Sequence, residues 1–359
     1  MENEEKTRIQ PKIFVLFVVI GLLPMAVGSV ILLSGARETY QDVIGGHLSV
    51  VAENAQMELL GAFFRRVTGE LNNVGLTPDV RSAVNASNLK GRDQNTQAVA
   101  LEWAKGEAQA DGVVKAVLEN SASRYLREYA LDGDLRQIVV TDVFGRVVAA
   151  TAWEDQYYQS GQRWWRYAFR EGAGGRFIGD FDYDEKTDLY TMDFALPIVE
   201  RTSQRAIGVM KAAVDSEEIL NLVNSVKVGE RGHAMLVRGD AVILVSPEAT
   251  FKDQVRFKFF RDMRAAIDGG RRSIQVGDGD EEVFIGLPPF RIKDTLPELD
   301  WYLAVVQPRS EALALFGNIN TKFLYILLFT VLVVAIMSVF FSWVLAKPVI
   351  ETDPHLERL

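Results

Sequence analysis

The sequence QIVVTDVFGRVVAAT, residues 137–151, holds two runs of β-branched and apolar residues on either side of Phe144-Gly145. Such runs around a glycine-containing turn are typical of a β-hairpin. A helix is predicted next, over 162–171, because the apolar positions change period and the run stops at Gly172-Ala-Gly-Gly. Three strand-like runs follow, at 176–179, 189–199 and 206–214. Hairpin, helix and three strands together form one module.

The same order of elements occurs a second time. HAMLVRGDAVILVS (233–246) repeats the hairpin, and LAVVQPRSEAL (303–313) resembles VMKAAVDSEEIL (209–220). Between them, a helix is predicted over 257–268 and strands over 271–276, 282–286 and 301–307. Two copies with so long a period indicate a duplicated domain and not a solenoid. We therefore predict an α+β fold with two tandem modules, over 131–228 and 229–321.

A helical segment precedes the first module. From Tyr40 to Val74, apolar residues recur every three to five positions, through Leu59, Ala62 and Val67. This spacing keeps one apolar stripe continuous along a helix, and it predicts a long rod. A second, more polar helical stretch is predicted over 98–129. We assign 36–130 to a helical stalk.

Two uncharged apolar stretches flank these domains, at 13–35 and 323–346. With Lys322 as its boundary, the second predicted span is 322–346. A helix that crosses a bilayer needs about 20 apolar residues, and both stretches have that length. The alternative for the first is a signal peptide, whose apolar region is about 7–15 residues. Its greater length favours a membrane anchor. We predict two transmembrane helices, with 36–321 between them.

The charges beside the two spans predict their orientation. Lys6, Arg8 and Lys12 precede the first span, and Lys347 and Arg358 follow the second. Since positive residues favour the cytoplasmic side, residues 1–12 and 347–359 are predicted to be cytoplasmic and 36–321 extracytoplasmic. The absence of cysteine is compatible with an oxidising compartment.

Composition and motifs argue against several function classes. The net charge of −9 disfavours nucleic acid and anionic lipid as partners. His47, His233 and His355 are scattered, and no nucleophile elbow or phosphate loop is present, so we predict no catalysis. The acidic stretches 182–188 and 278–282 lack the spacing of an EF-hand and read equally well as turns on an acidic surface. We predict no metal and no cofactor.

The order of the motifs DVFGRVVAAT, RWWRYA, ALPI, IGVMKAAVD and WYLAVVQP resembles a known family. They are similar to the double Cache (dCache_1) sensor domains of bacterial chemoreceptors, sensor kinases and cyclases, over 36–321. The resemblance implies two PAS-like modules with antiparallel sheets in a two-pass receptor of the bacterial inner membrane. It places the ligand in the first, membrane-distal module and leaves 229–321 as the membrane-proximal one.

The sequence after the second span, AKPVIETDPHLERL, resembles the start of a HAMP linker. A complete linker is longer than this segment. We therefore expect the output domain to belong to a longer chain or to a partner protein.

The resemblance also implies ligand-binding residues. Members that bind amino acids have a tyrosine, an arginine five residues later, two adjacent aromatic residues, and an aspartate at the end of a later strand. Tyr157, Trp164, Trp165 and Asp215 match this pattern, but Gln162 occupies the arginine position. Glutamine cannot grip a carboxylate in bidentate fashion, so an amine or another small polar molecule fits better than an amino acid.

Three further residues are candidates for the same pocket: Asp182, Tyr183 and Asp193. Asp193 lies in an apolar strand, where a carboxylate needs a partner, and a ligand cation, an arginine or exposure to solvent would each serve. Adjacent residues of a helix point about 100° apart, so Trp164 and Trp165 cannot share one environment. Either one lines the pocket, where it would attract an amine, or both are core residues.

Two functions remain in competition. The first is a receptor that binds a small amine or amino-acid-like ligand, relays the signal through its membrane helices, and forms a parallel homodimer through the rod at 40–74. The second is a membrane-anchored module that binds another protein or a polymer. An enclosed pocket with convergent carboxylates favours the first, and an exposed aromatic face favours the second.

Overall fold

The computed structural model describes residues 39–106, 112–184 and 189–345, with scattered residues between 15 and 28. The chain divides into two compact units. One is Gly45–Pro308; the other combines Met1–Ile44 with Arg309–Leu359 and contains the helices α11 (Arg309–Ala312) and α12 (Ala314–Leu345). Among the described residues, no helix has both the length and the hydropathy of a membrane span. Most of the predicted span at 13–35 lies outside the described residues, and both spans stay predictions.

The unit Gly45–Pro308 begins with the stalk. It consists of residues 45–58 of α1 (39–58), a π-helical turn at Leu59–Phe64, and α2 (Arg65–Gly75). The predicted apolar stripe is buried along α2 and buried or half-buried along α1. It is wrong at Ala62, which is exposed, whereas Phe63 and Phe64 are both buried. The π turn adds a residue to the helical repeat and so shifts the buried face by one position.

Four shorter helices follow, and three of them lie where sequence periodicity predicted one long stretch over 98–129. Asn95 and Asn120 cap two of them, because their side chains accept the N–H groups of Ala98 and Ser123. Such caps satisfy backbone donors that a helix start leaves free. The four helices are α3 (Pro78–Leu89), α4 (Thr96–Trp103), α5 (Gly112–Leu118) and α6 (Ser121–Asp132).

The first module is an antiparallel sheet in the order β2-β1-β5-β4-β3. The predicted hairpin and the predicted helix are both present. One face of the sheet packs on the stalk, where the Phe194 ring lies 6.2 Å from that of Phe63. The other face lies under α7. The elements are β1 (Leu135–Asp142), β2 (Val147–Ala150), α7 (Arg163–Phe169), β3 (Phe177–Asp184), β4 (Leu189–Val199) and β5 (Ala206–Asp215).

The second module repeats this architecture. Its sheet has the order β6-β7-β11-β10-β9, with β8 paired to β7, and α9 covers one face. The two antiparallel sheets confirm the predicted α+β fold. After α8 (Glu217–Ser225) come β6 (Lys227–Val228), β7 (Gly232–Arg238), β8 (Ile243–Val245), α9 (Phe260–Asp268), β9 (Ser273–Val276), β10 (Val283–Gly286), α10 (Ile292–Thr295) and β11 (Trp301–Pro308).

A buried aromatic stack joins the two modules. The ring of Phe181, on β3, lies 4.9 Å from that of Trp301, on β11, and nearly parallel to it. The Trp301 indole N–H donates to Asp180 Oδ1 at 2.9 Å, and Arg238 Nη1 lies 3.1 Å from Asp180 Oδ2. Phe64 of the π turn contacts the same tryptophan, with ring centres 6.3 Å apart. The stalk and both sheets therefore meet at Trp301.

Candidate functional site

Lys211 stands in the middle of the sheet face that α7 covers. In the strand register its neighbours are Val139 on β1 and Ala195 on β4. Side chains alternate along a strand, so Lys211 shares its face with Val209 and Ala213. Asp193 pairs with Ala213 in the register, which places its carboxylate beside the lysine.

The Lys211 ammonium has two neighbours on this face. Nζ lies 5.6 Å from the centre of a Trp164 ring and 3.7 Å from Asp193 Oδ2. Trp164, on α7, is buried, and the Lys211 side chain is 14% exposed. The aromatic face that was expected to attract a ligand cation is therefore in contact with a cation of the protein itself.

Glu154 adds a second carboxylate to the site. It lies in the loop between β2 and α7, and its Oε1 accepts a hydrogen bond of 2.7 Å from Gln137 Nε2. Burial raises the pKa of Glu154, the positive charge of Lys211 counteracts the rise, and the negative charge of Asp193 adds to it. The charge of Lys211 thus acts on Glu154 as well as on Asp193, the carboxylate that lies 3.7 Å from its Nζ.

The carboxyl group of Asp193 responds to the same environment. Desolvation raises its pKa, Lys211 opposes this, and Asp182 adds to the rise. Its side chain is still 40% exposed, so solvent screening keeps the cost of the charge small. With both carboxyl groups ionised, Glu154, Asp193 and Lys211 carry one net negative charge. Such a site attracts a cation.

Trp165 has a different environment from its neighbour. Its indole N–H donates to Thr141 Oγ1 at 2.9 Å, and its ring stacks on Phe169 with centres 4.5 Å apart. Both tryptophans are buried against Ala195 and Val209. The two rings differ in their polar neighbours but belong to one buried cluster, and a ligand-binding role for either stays a prediction.

The family profile of dCache_1, described as a Cache domain, matches residues 39–316. The chain belongs to the dCache_1 family. The match covers both sheets and the stalk of the dCache domain.

Two methyl-accepting chemotaxis proteins are similar to this dCache chain in sequence. PctB of Pseudomonas aeruginosa is 26% identical over 163 residues, which are 44% of this chain and 24% of PctB. McpA of Pseudomonas putida is 24% identical over 184 residues, which are 50% of this chain and 27% of McpA. The chain thus matches about a quarter of the length of each curated relative.

Solved structures with a similar fold are chemoreceptor sensory domains. That of Campylobacter jejuni Tlp3 with isoleucine bound is 10% identical and covers 77% of this chain and 96% of its own, with a TM-score of 0.48. The Pseudomonas aeruginosa amino acid chemoreceptor PctC in complex with GABA is 17% identical and covers 74% and 99%, with a TM-score of 0.45.

Tyr157 belongs to an aromatic wall beside the dCache site. Its ring lies 5.3 Å from that of Trp103 and 4.9 Å from that of Tyr158. Burial raises the pKa of Tyr157 to about 12, with a further contribution from the charge of Asp93, so the phenol is neutral at physiological pH. The Trp103 indole N–H donates to the Glu154 carbonyl oxygen at 2.6 Å. This wall therefore holds the loop that carries Glu154.

Asp215 lies in a separate groove of the dCache domain. Its Oδ2 accepts from Arg136 Nη2 at 2.7 Å, and its Oδ1 accepts the backbone N–H of Glu217 at 3.0 Å. The carboxylate thus sits at the start of α8. The position on β5 that faces Asp193 is Ala213, two residues earlier. The run Asp-Ser-Glu-Glu is itself a helix-start signature, and it indicates this capping position from sequence.

Asp182 and Tyr183 point to different surroundings. Asp182 is exposed, and its charge contributes to the raised pKa of Asp193, so it belongs to the edge of the site. Tyr183 faces the second module, where its hydroxyl accepts from Lys252 Nζ at 2.7 Å and its ring lies 5.1 Å from that of Tyr190. The structure brings Trp164, Asp193 and Asp182 together but not Tyr183 or Asp215.

Sequence reasoning missed Lys211 and Glu154. Lys211 is the one charged residue inside the apolar run AIGVMKAAV. A charge in an apolar strand is the same kind of signal that made Asp193 a candidate, so Lys211 could have been found in the same way. Glu154 carries no comparable signal, because its loop reaches the site only through tertiary packing. Among the residues that the structure describes, no group of three or more His, Cys, Asp or Glu is placed to hold a metal ion; Asp188 lies outside them.

Proposed function

We propose that this chain is the sensory part of a transmembrane receptor whose first module binds a small organic ligand with a protonated amine. The observation that carries the proposal is the charge balance around Lys211: its ammonium lies 3.7 Å from Asp193 Oδ2, and its charge also acts on Glu154, so one positive charge faces two carboxylates. A ligand ammonium would supply the second positive charge. Family membership and the methyl-accepting chemotaxis relatives support a receptor role.

Lys211 suits an amino-acid-like ligand as well as a simple amine. Gln162, at the family's arginine position, bonds to Gln156 through its amide at 2.8 Å. Lys211 supplies a positive charge that can take a ligand carboxylate in place of the arginine. A zwitterion would then lie with its ammonium at Glu154 and Asp193 and its carboxylate at Lys211. Tyr157, Trp164 and Trp165 would form the surrounding walls, Asp182 the edge, and Tyr183 and Asp215 outer positions.

The signal would pass through the stalk to the membrane. We propose that 13–35 and 322–346 span the bacterial inner membrane, with the dCache domain outside the cytoplasm and the output in a segment or partner beyond residue 346. A ligand that binds one of two conformations better is sufficient to shift the stalk. Val50 and Met57 are exposed and seven residues apart, which is the repeat length of a coiled coil and supports a parallel homodimer.

A thermal-shift screen of the full chain in detergent tests this function. Amines and amino acids are the probes, and a true ligand at one hundred times its Kd is expected to add about 2.7 kcal/mol of stability. Asp193→Asn is expected to remove the shift, because it takes away one carboxylate. Asp262→Asn, an exposed neutralisation in the second module, is the matched control and is expected to keep it. A hit that survives Asp193→Asn would refute the site; no hit on folded protein would favour the interaction-module function.

Glu154→Gln is expected to stabilise the unliganded protein at neutral pH and to weaken amine binding. A raised carboxyl pKa means that the folded state holds the proton more tightly than the unfolded state. The resulting stability is fully present below the ordinary value of 4.5 and is lost as pH rises through the raised pKa. The midpoints of the two proteins are therefore expected to differ more at neutral than at acidic pH, with the variant higher.

The same titration predicts how ligand affinity depends on pH. An amine binds the ionised carboxylate, so its affinity for the wild-type protein is expected to fall as pH drops through the raised pKa of Glu154. Calorimetric titrations over the acidic range check this. A pH-independent amine affinity in wild type would contradict the role of Glu154.

A further inference from the structure

A second groove lies where the stalk, α7 and the second module meet. Its volume is about 1070 Å³, and it is distinct from the face that carries Lys211. Its polar walls come from three parts of the fold: α2, the end of α7 with the residues that follow, and the segment between α10 and β11. The polar residues that line it are Thr68, Asn72, Arg166, Arg170, Arg176 and Glu298.

The groove is positively charged in a chain whose net charge is −9. Arg166 lies on α7 and Arg170 directly follows its end; both are exposed and both line the groove. Within the described ranges, neither they nor Arg176 forms an ion pair. With Glu298 as the one acidic side chain in the wall, three guanidinium groups give the groove a net charge of about +2 when all are ionised.

Two buried polar atoms beside the groove have no bonding partner among the described residues. They are Arg176 Nε and Glu298 Oε2, one from each module. Arg176 also links the modules, because its Nη2 donates to the carbonyl oxygen of Thr295 at 3.2 Å. Buried polar groups are nearly always hydrogen-bonded, and an unmade bond costs about 1–3 kcal/mol. Both atoms are buried beside the groove, so they supply a free donor and a free acceptor to a ligand once the side chains of Arg176 and Glu298 turn toward it.

We propose that this groove binds a small organic dianion that also carries a hydroxyl group. Its carboxylates would accept from Arg166, Arg170 and Arg176 Nε, since guanidinium groups match planar oxyanions. Its hydroxyl would donate to Glu298 Oε2. The ligand would touch both modules and the stalk, so it would favour the conformation in which they are packed together. The site does not depend on the amine-binding function proposed above.

Isothermal titration of the full chain in detergent tests this site, with malate and succinate as probes because they differ by one hydroxyl. Malate is expected to bind at least about tenfold more tightly, which corresponds to about 1.4 kcal/mol. The double variant Arg166→Gln/Arg170→Gln is expected to weaken malate binding by at least about tenfold, because it removes two charge-assisted contacts.

Two controls make the result specific. Arg124→Gln/Arg201→Gln removes the same charge from exposed positions outside the groove and is expected to leave malate affinity within about twofold. Glu298→Ala is expected to erase the preference for malate over succinate. The proposal is overturned if neither probe binds at millimolar concentration, if the control double variant weakens malate equally, or if wild type binds both probes with the same affinity.

Discussion

Replacing Asp142 by alanine is expected to lower the free energy of unfolding by about 3–5 kcal/mol. Asp142 is fully buried at the end of β1. Its carboxylate accepts from Arg146 Nε at 2.6 Å, from the Phe144 N–H at 2.9 Å and from Ser87 Oγ at 2.8 Å. The Arg146 side chain is itself 2% exposed. Without Asp142, the buried guanidinium would keep only Asp93 as an anionic partner.

Thermal unfolding of the full chain in detergent measures this loss, and a midpoint lower by roughly 10 °C is expected for a domain of this size. Glu119→Ala is the control, because its pair with Lys115 spans 3.9 Å on the surface. Such pairs contribute about 0.5 kcal/mol or less. If the Asp142 variant unfolds within a degree or two of wild type, the buried network does not stabilise the hairpin.

Trp301→Ala is expected to cost about 3–5 kcal/mol and to separate the unfolding of the two modules. Trp301 is buried where Phe181, Phe64 and Asp180 meet it. Truncation removes the aromatic stack and the indole donor together, and these are contacts that join the two sheets. Calorimetry is expected to show one transition for wild type and two for the variant.

Trp301→Phe distinguishes the two contributions. It keeps a ring against Phe181 and removes the indole donor from Asp180 Oδ1, which still accepts the Phe181 N–H, at a cost of about 0.5–1.5 kcal/mol. A single transition at a lower midpoint is expected for it. Should Trp301→Ala unfold in one transition at the wild-type midpoint, the aromatic stack would not couple the modules.

Local patterns were sufficient to predict the hairpin at 137–151, the helix that became α7, and the duplication, because each depends on a short run of residues. The shift at Ala62 could not be predicted in that way. Phe63 and Phe64 are both buried because Phe194 and Trp301 contact them from two sheets, and the π turn accommodates both. Tertiary contacts there override the regular helical period.

The candidate site shows the same division. Trp164 and Asp193 could be found from sequence, since paired aromatics and a charge in an apolar strand are local signals. That the charge of Lys211 acts on both Glu154 and Asp193 depends on the pairing of β4 with β5 and on a loop held by Trp103, which no local pattern contains. Asp215 was selected by its place in a motif, whereas the strand register puts Ala213 opposite Asp193.

In chimeric receptors that exchange the stalk, the rotational phase of the stalk helix will depend on which side of the π turn at Leu59–Phe64 the junction lies. Each residue turns an α-helix by about 100°. A graft that replaces the turn by regular helix would therefore rotate residues 45–58 of α1 by that angle, relative to the sheet that Phe63 and Phe64 contact. A junction after Gly75 replaces the π turn together with Phe63 and Phe64. A junction before Leu59 preserves the π turn and the contacts of these two residues. Donor and recipient stalks can thus be in phase by sequence alignment and out of phase in space.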